Sequence, residues 1–160
     1  MPETKIQVLA DTSFLIRLLK EGDTLHENAI AYFKYILENS GSILCSTIAI
    51  SEYCVKGKLE ELPLKQVQVV PFNTDHAVKA AEFARICYSS RIREEVSQRI
   101  IIPNDCKLLA QAEIESVQFF LTSDVELKKI FETLSHSIGL KFKFVDINIP
   151  AHETFGYLDL

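Results

Sequence analysis

The hydrophobic and polar positions change period repeatedly along the chain, which predicts alternating strands and helices. Short apolar runs are typical of buried strands, and longer segments with apolar residues three and four positions apart predict amphipathic helices. The segment 117–121 is almost wholly apolar, as expected of a parallel strand covered on both faces. The predicted strands are residues 6–10, 42–45, 65–72, 117–121 and 141–147. The first predicted helix begins at Phe14. The other predicted helices cover residues 24–39, 48–55, 75–88, 103–115 and 125–136.

The resulting order, β-α-α-β-α-β-α-α-β-α-β, favours a doubly wound α/β sheet with right-handed crossovers. No internal repeat or low-complexity linker interrupts it, so we expect one domain over residues 1–160, with 148–160 as a C-terminal tail without strong periodicity. The polar segment 89–99 predicts a helix end followed by a mobile connection.

Composition changes this picture little. The formal net charge of −5 bears on solubility rather than on the chemistry of a local site. Apolar runs are far shorter than the ~20 residues of a membrane span, and no export signal is recognisable, so we expect a cytoplasmic protein. The four cysteines, Cys45, Cys54, Cys87 and Cys106, form no C-x-x-C pair, which predicts buried thiols rather than a zinc site or a disulfide framework.

Four acidic residues are the candidate site. Asp11 follows the first predicted strand, and Asp124 follows the segment 117–121 after two hydroxyl residues. The carboxyl ends of parallel strands share one edge of the sheet, so both side chains should lie there, beside the point where strand order reverses. Asp105 in the first turn of one helix and Glu52 on another can face the same crevice. Because the helix that carries Glu52 is largely apolar, we expect this acid not to be freely solvated.

A cluster of carboxylates without matching Lys or Arg requires a cation or bound protons. Mg²⁺ and Mn²⁺ prefer oxygen ligands and retain water, so the cluster predicts a site for one of these ions. A metal-bound water is a nucleophile suited to attack on a phosphodiester. Plainer roles are open for each acid: Asp11, Asp124 and Asp105 are common residue types at helix starts, and Glu52 could pair with Lys56.

Four segments resemble the PIN-domain family, in particular the VapC-like toxins. They are Val-Leu-Ala-Asp-Thr-Ser (8–13), Thr-Ile-Ala-Ile-Ser-Glu (47–52), Pro-Asn-Asp-Cys-Lys-Leu-Leu-Ala-Gln-Ala (103–112) and Leu-Thr-Ser-Asp (121–124). The resemblance implies a three-layer α/β/α sandwich, an endoribonuclease that uses Mg²⁺ or Mn²⁺, a homodimer, and a protein antitoxin bound across the site. It also implies that Asp11, Glu52, Asp105 and Asp124 are catalytic metal ligands, oriented by the hydroxyls of Thr12 or Ser13 and of Thr122.

Two other classes of function are open. One is a PIN-fold binding module whose site is occluded or inactive and which acts through a protein or RNA partner. The other is a phospho-acceptor aspartate, which the sequence disfavours because no second acid stands two residues after Asp11. The basic residues Arg91, Arg93 and Arg99 could meet RNA phosphates, although interspersed glutamates favour a solvated surface.

Overall fold

The structure, a computed structural model, describes residues 5–89 and 102–157. In this part of the chain, five strands form one sheet in which every neighbouring pair is parallel. The strands are β1 Gln7–Ala10, β2 Ser42–Ser46, β3 Gln68–Val70, β4 Phe119–Thr122 and β5 Lys143–Asp146.

Within the described ranges, seven α-helices and a short 3₁₀ helix, η1, connect and cover the strands. They are α1 Thr12–Leu19, α2 His26–Glu38, α3 Thr47–Tyr53, η1 Leu59–Glu61, α4 Thr74–Ser89, α5 Asn104–Ile114, α6 Val125–Ser137 and α7 Ala151–Phe155. From β1 to β5 the order of strands and α-helices agrees with the predicted one; η1 and α7 were not predicted. The predicted three-layer α/β/α sandwich is confirmed. No helix in the described ranges is long and apolar enough to cross a membrane.

The strand order β3-β2-β1-β4-β5 places the reversal of the sheet between β1 and β4. These two strands run in register, with Val8 beside Phe119 and Ala10 beside Leu121. Their side chains form the centre of the hydrophobic core. Both strands therefore end together, at the position where a doubly wound sheet opens a crevice for ligands.

Strand β3 is shorter than predicted, because the first part of the predicted segment 65–72 forms a turn instead. The carbonyl oxygen of Pro63 accepts hydrogen bonds from the backbone N–H groups of Gln66 and Val67. Backbone groups that bond locally in this way are not available to a sheet, so pairing begins only at Gln68.

The predicted tail contains helix α7, which packs on α2. The Tyr32 hydroxyl donates to the carbonyl oxygen of Ile149 at 2.7 Å. The Tyr35 ring stacks on Phe155 at 4.3 Å and on Tyr157 at 4.9 Å between ring centroids. Aromatic contacts of this kind bury apolar surface, and they tie the segment after β5 to the body of the sheet.

The cysteine prediction is correct at three of its four positions. Cys45, Cys87 and Cys106 are buried and in no disulfide, whereas Cys54, also in no disulfide, is exposed at the end of α3. The apolar neighbours of Cys54 suggested burial, but α3 borders an open groove of about 610 Å³ between α1 and the segment from α3 to η1.

Candidate functional site: an acidic pocket at the sheet reversal

Asp11 is fixed by the backbone on both sides of the sheet reversal. Its N–H donates to the carbonyl oxygen of Leu121 at the end of β4, at 3.1 Å. Its side chain caps α1, where Oδ1 accepts from the N–H of Phe14 at 3.1 Å. The carboxylate is buried and points to the shared edge of β1 and β4.

Two hydroxyl groups complete the surroundings of this carboxylate. The Ser13 hydroxyl donates to Asp11 Oδ1 at 2.6 Å, and the Thr122 hydroxyl donates to Asp11 Oδ2 at 2.5 Å. Ser13 Oγ in turn accepts from the N–H of Ser123 at 2.9 Å, and Thr122 Oγ1 accepts from the N–H of Asp124 at 3.0 Å. This network joins the ends of β1 and β4 and sets the position of Asp124 relative to Asp11.

Thr12 behaves differently from its neighbour Ser13. Its Oγ1 atom is buried and has no hydrogen-bond partner among the described residues. The sequence left open whether Thr12 or Ser13 contacts Asp11, and it is Ser13 that does so.

Of the other three acids, Asp105 and Glu52 reach the pocket from helices, and Asp124 reaches it from the turn between β4 and α6. Asp124 caps α6, its Oδ1 accepting from the N–H of Glu126 at 2.9 Å. Asp105 lies in the first turn of α5, where Pro103 occupies the capping position, so Asp105 is not the cap. Glu52 lies in the last turn of α3.

Together the four acids line one pocket of about 220 Å³ at the edge of the sheet. Among the described residues, none that lines it is a Lys or Arg, so no fixed cation offsets the acidic side chains. The complete lining is Asp11, Thr12, Ser13, Ile16, Glu52, Asp105, Leu108 and Asp124.

The electrostatics of the pocket follow from burial and from the mutual repulsion of the acids. Burial, which has the largest effect, and the negative charges of Asp124, Asp11 and Glu52 together raise the pKa of Asp105 to about 6. Burial also raises the pKa of Asp11 above its usual range, against the opposing effect of the hydrogen bonds from Ser13, Thr122 and Phe14. Two carboxyl groups in this pocket therefore resist ionisation when no cation is near.

The sequence also allowed simpler roles for these acids, namely helix capping and an ion pair between Glu52 and Lys56, and the structure shows the capping only in part. Asp11 and Asp124 do cap helices, and the same side chains also line the pocket, so capping and a functional role coexist. Glu52 forms no ion pair with Lys56, both of which lie in the described part of the chain.

The expectation that Glu52 would be shielded from solvent is wrong. Glu52 is exposed, and within α3 only Ala49 is buried. The apolar residues of this helix suggested a core-facing surface, but Tyr53 lines the open groove between α1 and the segment from α3 to η1, as Glu52 does.

The donor set has the chemistry of a divalent metal site. Four carboxylates and the unpaired Thr12 hydroxyl offer only oxygen ligands, which Mg²⁺ and Mn²⁺ prefer. As the side chains stand, no three acid, His or Cys groups within residues 5–89 and 102–157 are arranged to hold an ion. The residues have the oxygen donors that the ion prefers, but the acidic side chains must move closer together to coordinate it.

Two apolar residues of the lining, Ile16 and Leu108, were not predicted from the sequence. Leu108 stands three residues after Asp105 on α5, a spacing that places both on one helix face, so this neighbour could have been inferred. Ile16 follows from the position of α1 against α3, which only the tertiary structure provides. The basic candidates Arg91, Arg93 and Arg99, like most of the segment 89–99, lie outside the described residues.

Comparisons with known proteins agree with this architecture. The family described as PIN domain matches residues 8–132. Two solved structures of similar fold are VapBC2 from Rickettsia felis bound to promoter DNA and DNA-bound VapBC from Salmonella typhimurium. The first gives a TM-score of 0.61 at 16% identity, covering 88% of this chain and 100% of the other. The second gives 0.56 at 15% identity, covering 87% and 98%.

A third similar structure is VapC20 of Mycobacterium tuberculosis, described as a toxin that cleaves the sarcin-ricin loop. Its TM-score is 0.51 at 17% identity, covering 76% of this chain and 93% of the other. A search of curated proteins finds no match. Because the family match spans most of the chain, this protein belongs to the PIN-domain family, and its fold is that of the VapC-like members.

Proposed function

We propose that this chain is a divalent-metal-dependent endoribonuclease that hydrolyses RNA phosphodiester bonds and serves as the toxin of a toxin–antitoxin pair. The observation that carries the proposal is the convergence of four acids from β1, α3, α5 and the end of β4 on one pocket without a basic side chain among the described residues. Membership of the PIN-domain family and the fold shared with VapC toxins support the same reading.

In this proposal Asp11, Glu52, Asp105 and Asp124 hold Mg²⁺ or Mn²⁺. The bound ion would supply an activated water and neutralise charge on the scissile phosphate. Ser13 and Thr122 act on Asp11: their hydroxyl protons stabilise its carboxylate form and fix its orientation. With Oδ1 accepting two hydrogen bonds and Oδ2 one, Asp11 Oδ2 retains a lone pair for a ligand.

The experiment is cleavage of a structured RNA by the purified chain with Mg²⁺, with Mn²⁺ and with EDTA. Asp11→Asn is the test variant, because it keeps the size of the side chain and removes its charge. Asp146→Asn is the matched control, because Asp146 ends β5 at the same edge of the sheet but does not line the pocket. We expect cleavage that EDTA and Asp11→Asn abolish and Asp146→Asn preserves. Cleavage that survives both EDTA and Asp11→Asn would contradict the proposal.

The antitoxin, the homodimer and the cytoplasmic location that the family resemblance implies belong to the same proposal. The VapBC assemblies of similar fold support a protein partner. Induced expression of the chain should arrest bacterial growth, and co-expression of the protein encoded beside it should restore growth. Light scattering of the purified chain measures the oligomeric state. If high expression of the wild-type chain does not affect growth, the chain is not a toxin. The cleavage assay tests the nuclease activity independently of that result.

A further inference from the structure

Two cysteines from different helices contact each other in the core, beside the acidic pocket. Cys87 lies in the last turn of α4, and Cys106 lies in the first turn of α5. Both belong to the hydrophobic core, with Cys106 1% exposed and Cys87 9% exposed. A hydrogen bond joins the two thiols. The end of α4 is therefore in sulfur-to-sulfur contact with the start of α5.

Small residues on α4 allow the two helices to approach closely. Ala80, Ala84 and Cys87 recur three and four positions apart and are buried on one face of α4. Helix α4 packs along α5, and the distance between packed helices depends on the size of the side chains at the contact. A disulfide requires Cα atoms about 4.4–6.8 Å apart, which short side chains at a helix contact favour. The packing is thus suited to a covalent bond between the two cysteines.

Cys87 differs from Cys45, a buried cysteine of β2, in how its thiol is held. The Cys45 thiol donates to the carbonyl oxygen of Ser46 at 3.9 Å, and burial raises its pKa to about 11. At Cys87 the hydrogen bond with Cys106 outweighs burial and holds the pKa below its ordinary value. Because the thiolate is the form that reacts with oxidants, Cys87 is the more reactive of these two buried thiols.

The backbone of α5 connects the cysteine pair to the acidic pocket. Asp105, one of the four acids, directly precedes Cys106 in the first turn of this helix. Pro103 occupies the capping position, so no side chain caps the start of α5. A displacement of Cys106 therefore also displaces Asp105, since the two residues are consecutive and no cap holds the turn in place.

We infer that Cys87 and Cys106 form a reversible disulfide bond, and that this bond switches off the acidic pocket when the chain meets a peroxide. Sulfur atoms joined by a hydrogen bond are not at bonding distance, and a disulfide brings them to about 2.05 Å. Closing that gap draws the first turn of α5 toward the end of α4 and moves Asp105 relative to the other three acids. The effect on the pocket rests on the proposed function, whereas formation of the bond does not.

The oxidation balances in two steps. Hydrogen peroxide oxidises the Cys87 thiol to a sulfenic acid and is itself reduced to water. The Cys106 sulfur then attacks the Cys87 sulfur: the S–S bond forms, the S–O bond breaks, and the hydroxyl group leaves as a second water with the thiol proton of Cys106. The two electrons lost by the thiols reduce the O–O bond of the peroxide. Two molecules of a small thiol reverse the reaction by exchange and leave as their own disulfide.

The test uses the Cys54→Ser chain, because the exposed thiol of Cys54 would otherwise join two molecules. The protein is treated with hydrogen peroxide or with dithiothreitol, and the reagent is then removed. Peptide mapping without reduction identifies the disulfide, calorimetry gives the Kd for Mn²⁺, and initial rates measure cleavage of a structured RNA. Circular dichroism confirms that each variant and each redox form is folded.

We expect peroxide to produce a crosslinked peptide that contains Cys87 and Cys106 and to raise the Kd for Mn²⁺ about tenfold. Cleavage should slow about a hundredfold, the usual cost of moving a reacting group by about 1 Å. Dithiothreitol should restore the affinity and the rate.

Cys87→Ala should retain the affinity and the rate of the reduced parent and lose neither to peroxide, since Cys106 then has no partner for a disulfide. Cys106→Ala gives the same test from the other helix. Cys45→Ala is the matched control, because it removes a buried cysteine from β2 and leaves the pair intact. It should respond to peroxide as the parent does.

Peroxide treatment that yields no Cys87–Cys106 peptide would overturn the inference and leave the two cysteines with a packing role only. The crosslink without a change in the Kd for Mn²⁺ would also overturn it, as would inactivation that persists in both Cys87→Ala and Cys106→Ala. The proposed function fails by different results. A reduced chain that binds Mn²⁺ without cutting RNA removes the nuclease and keeps the switch of metal binding, and one that binds no Mn²⁺ removes the metal site and the switch together.

Discussion

Asp11 and Glu52 line the same pocket but are held in opposite ways. Asp11 is buried, and its carboxylate accepts three hydrogen bonds, from Ser13, Thr122 and the backbone of Phe14. Glu52 is exposed and has no hydrogen-bond or ion-pair partner among the described residues. One acid is preorganised by the fold, and the other retains its rotamer freedom.

The difference shows how a fold can supply both rigidity and adjustment at one site. In the proposed metal site, Asp11 has lost its conformational entropy during folding and gives the site its geometry, whereas Glu52 would lose that entropy only when an ion binds. The rigid acid lies at the sheet reversal, where two strands determine its position. The adjustable acid lies on helix α3, which also borders the groove.

The largest effect should come from removing the charge of the rigid acid. Asp11→Asn should reduce cleavage about a thousandfold, as expected for loss of a preorganised electrostatic group. Glu52→Gln should reduce it less, since a free side chain contributes less preorganisation. Initial rates at saturating Mn²⁺ measure both. Equal losses for the two variants would show that their different surroundings have no catalytic consequence.

A smaller effect should follow from removing one of the hydroxyls that hold Asp11. Thr122→Val keeps the shape but deletes the donor to Asp11 Oδ2, and it leaves the N–H of Asp124 without its acceptor. Because that hydrogen bond lowers the pKa of Asp11, its loss raises this pKa, and the acidic limb of the pH–rate profile should move to higher pH. We expect about a tenfold loss of rate near neutral pH.

Thr122→Ser is the control for this prediction, because it restores the hydroxyl. It should return the acidic limb to its original position. A pH–rate profile of Thr122→Val that coincides with the wild type would show that the hydroxyl does not act on Asp11.

A third prediction concerns stability without metal. The folded-state pKa of Asp105, about 6, lies above its ordinary value of 3.8. The folded chain therefore retains a proton between these values that the unfolded chain loses, so this group makes the protein less stable as pH rises through that window. After allowance for partial solvent screening, Asp105→Asn should raise the free energy of unfolding by about 1–2 kcal/mol at pH 7.5 in EDTA, and by little at pH 4.

Urea unfolding at the two pH values measures this difference, with Asp75→Asn as a control at the start of another helix. Addition of Mg²⁺ should stabilise the wild type more than Asp105→Asn. The prediction fails if Asp105→Asn is less stable than the wild type at pH 7.5 in EDTA.

The smallest effect is expected for the stability of Glu52→Gln. An exposed side chain without a partner contributes little to folding, so the free energy of unfolding should change by less than about 0.5 kcal/mol. Although its stability is unchanged, Glu52→Gln should bind Mn²⁺ about tenfold more weakly than the wild type, as measured by calorimetry. A large loss of stability would show that Glu52 has a structural role.

Much of the fold could be predicted because its signals are local. Each strand is a short apolar run, and Asp11 and Asp124 follow strands that end at a common edge. Helix α7 also had a local signal that was overlooked: Pro150 stands at its start, and Gly156, with φ of 72°, ends it in the left-handed region. Its short length conceals any helical period.

What the sequence did not reveal depends on tertiary contacts. Apolar periodicity shows that one face of α3 avoids water, but it does not distinguish a core from an open groove. Ile16 on α1 and Val55 after α3 are exposed because these helices leave space between them, and Glu52 is exposed with them. The hydroxyl network is likewise a contact between residues more than a hundred positions apart, such as Ser13 and Thr122.

The strand order also has a consequence for synthesis of the protein. Strand β1 pairs with β2, made soon after it, and with β4, made much later. When only the first half of the chain has been synthesised, it contains Asp11 and Glu52 but neither Thr122 nor Asp124. The acidic pocket therefore cannot assemble on the nascent polypeptide until Asp124 has been added.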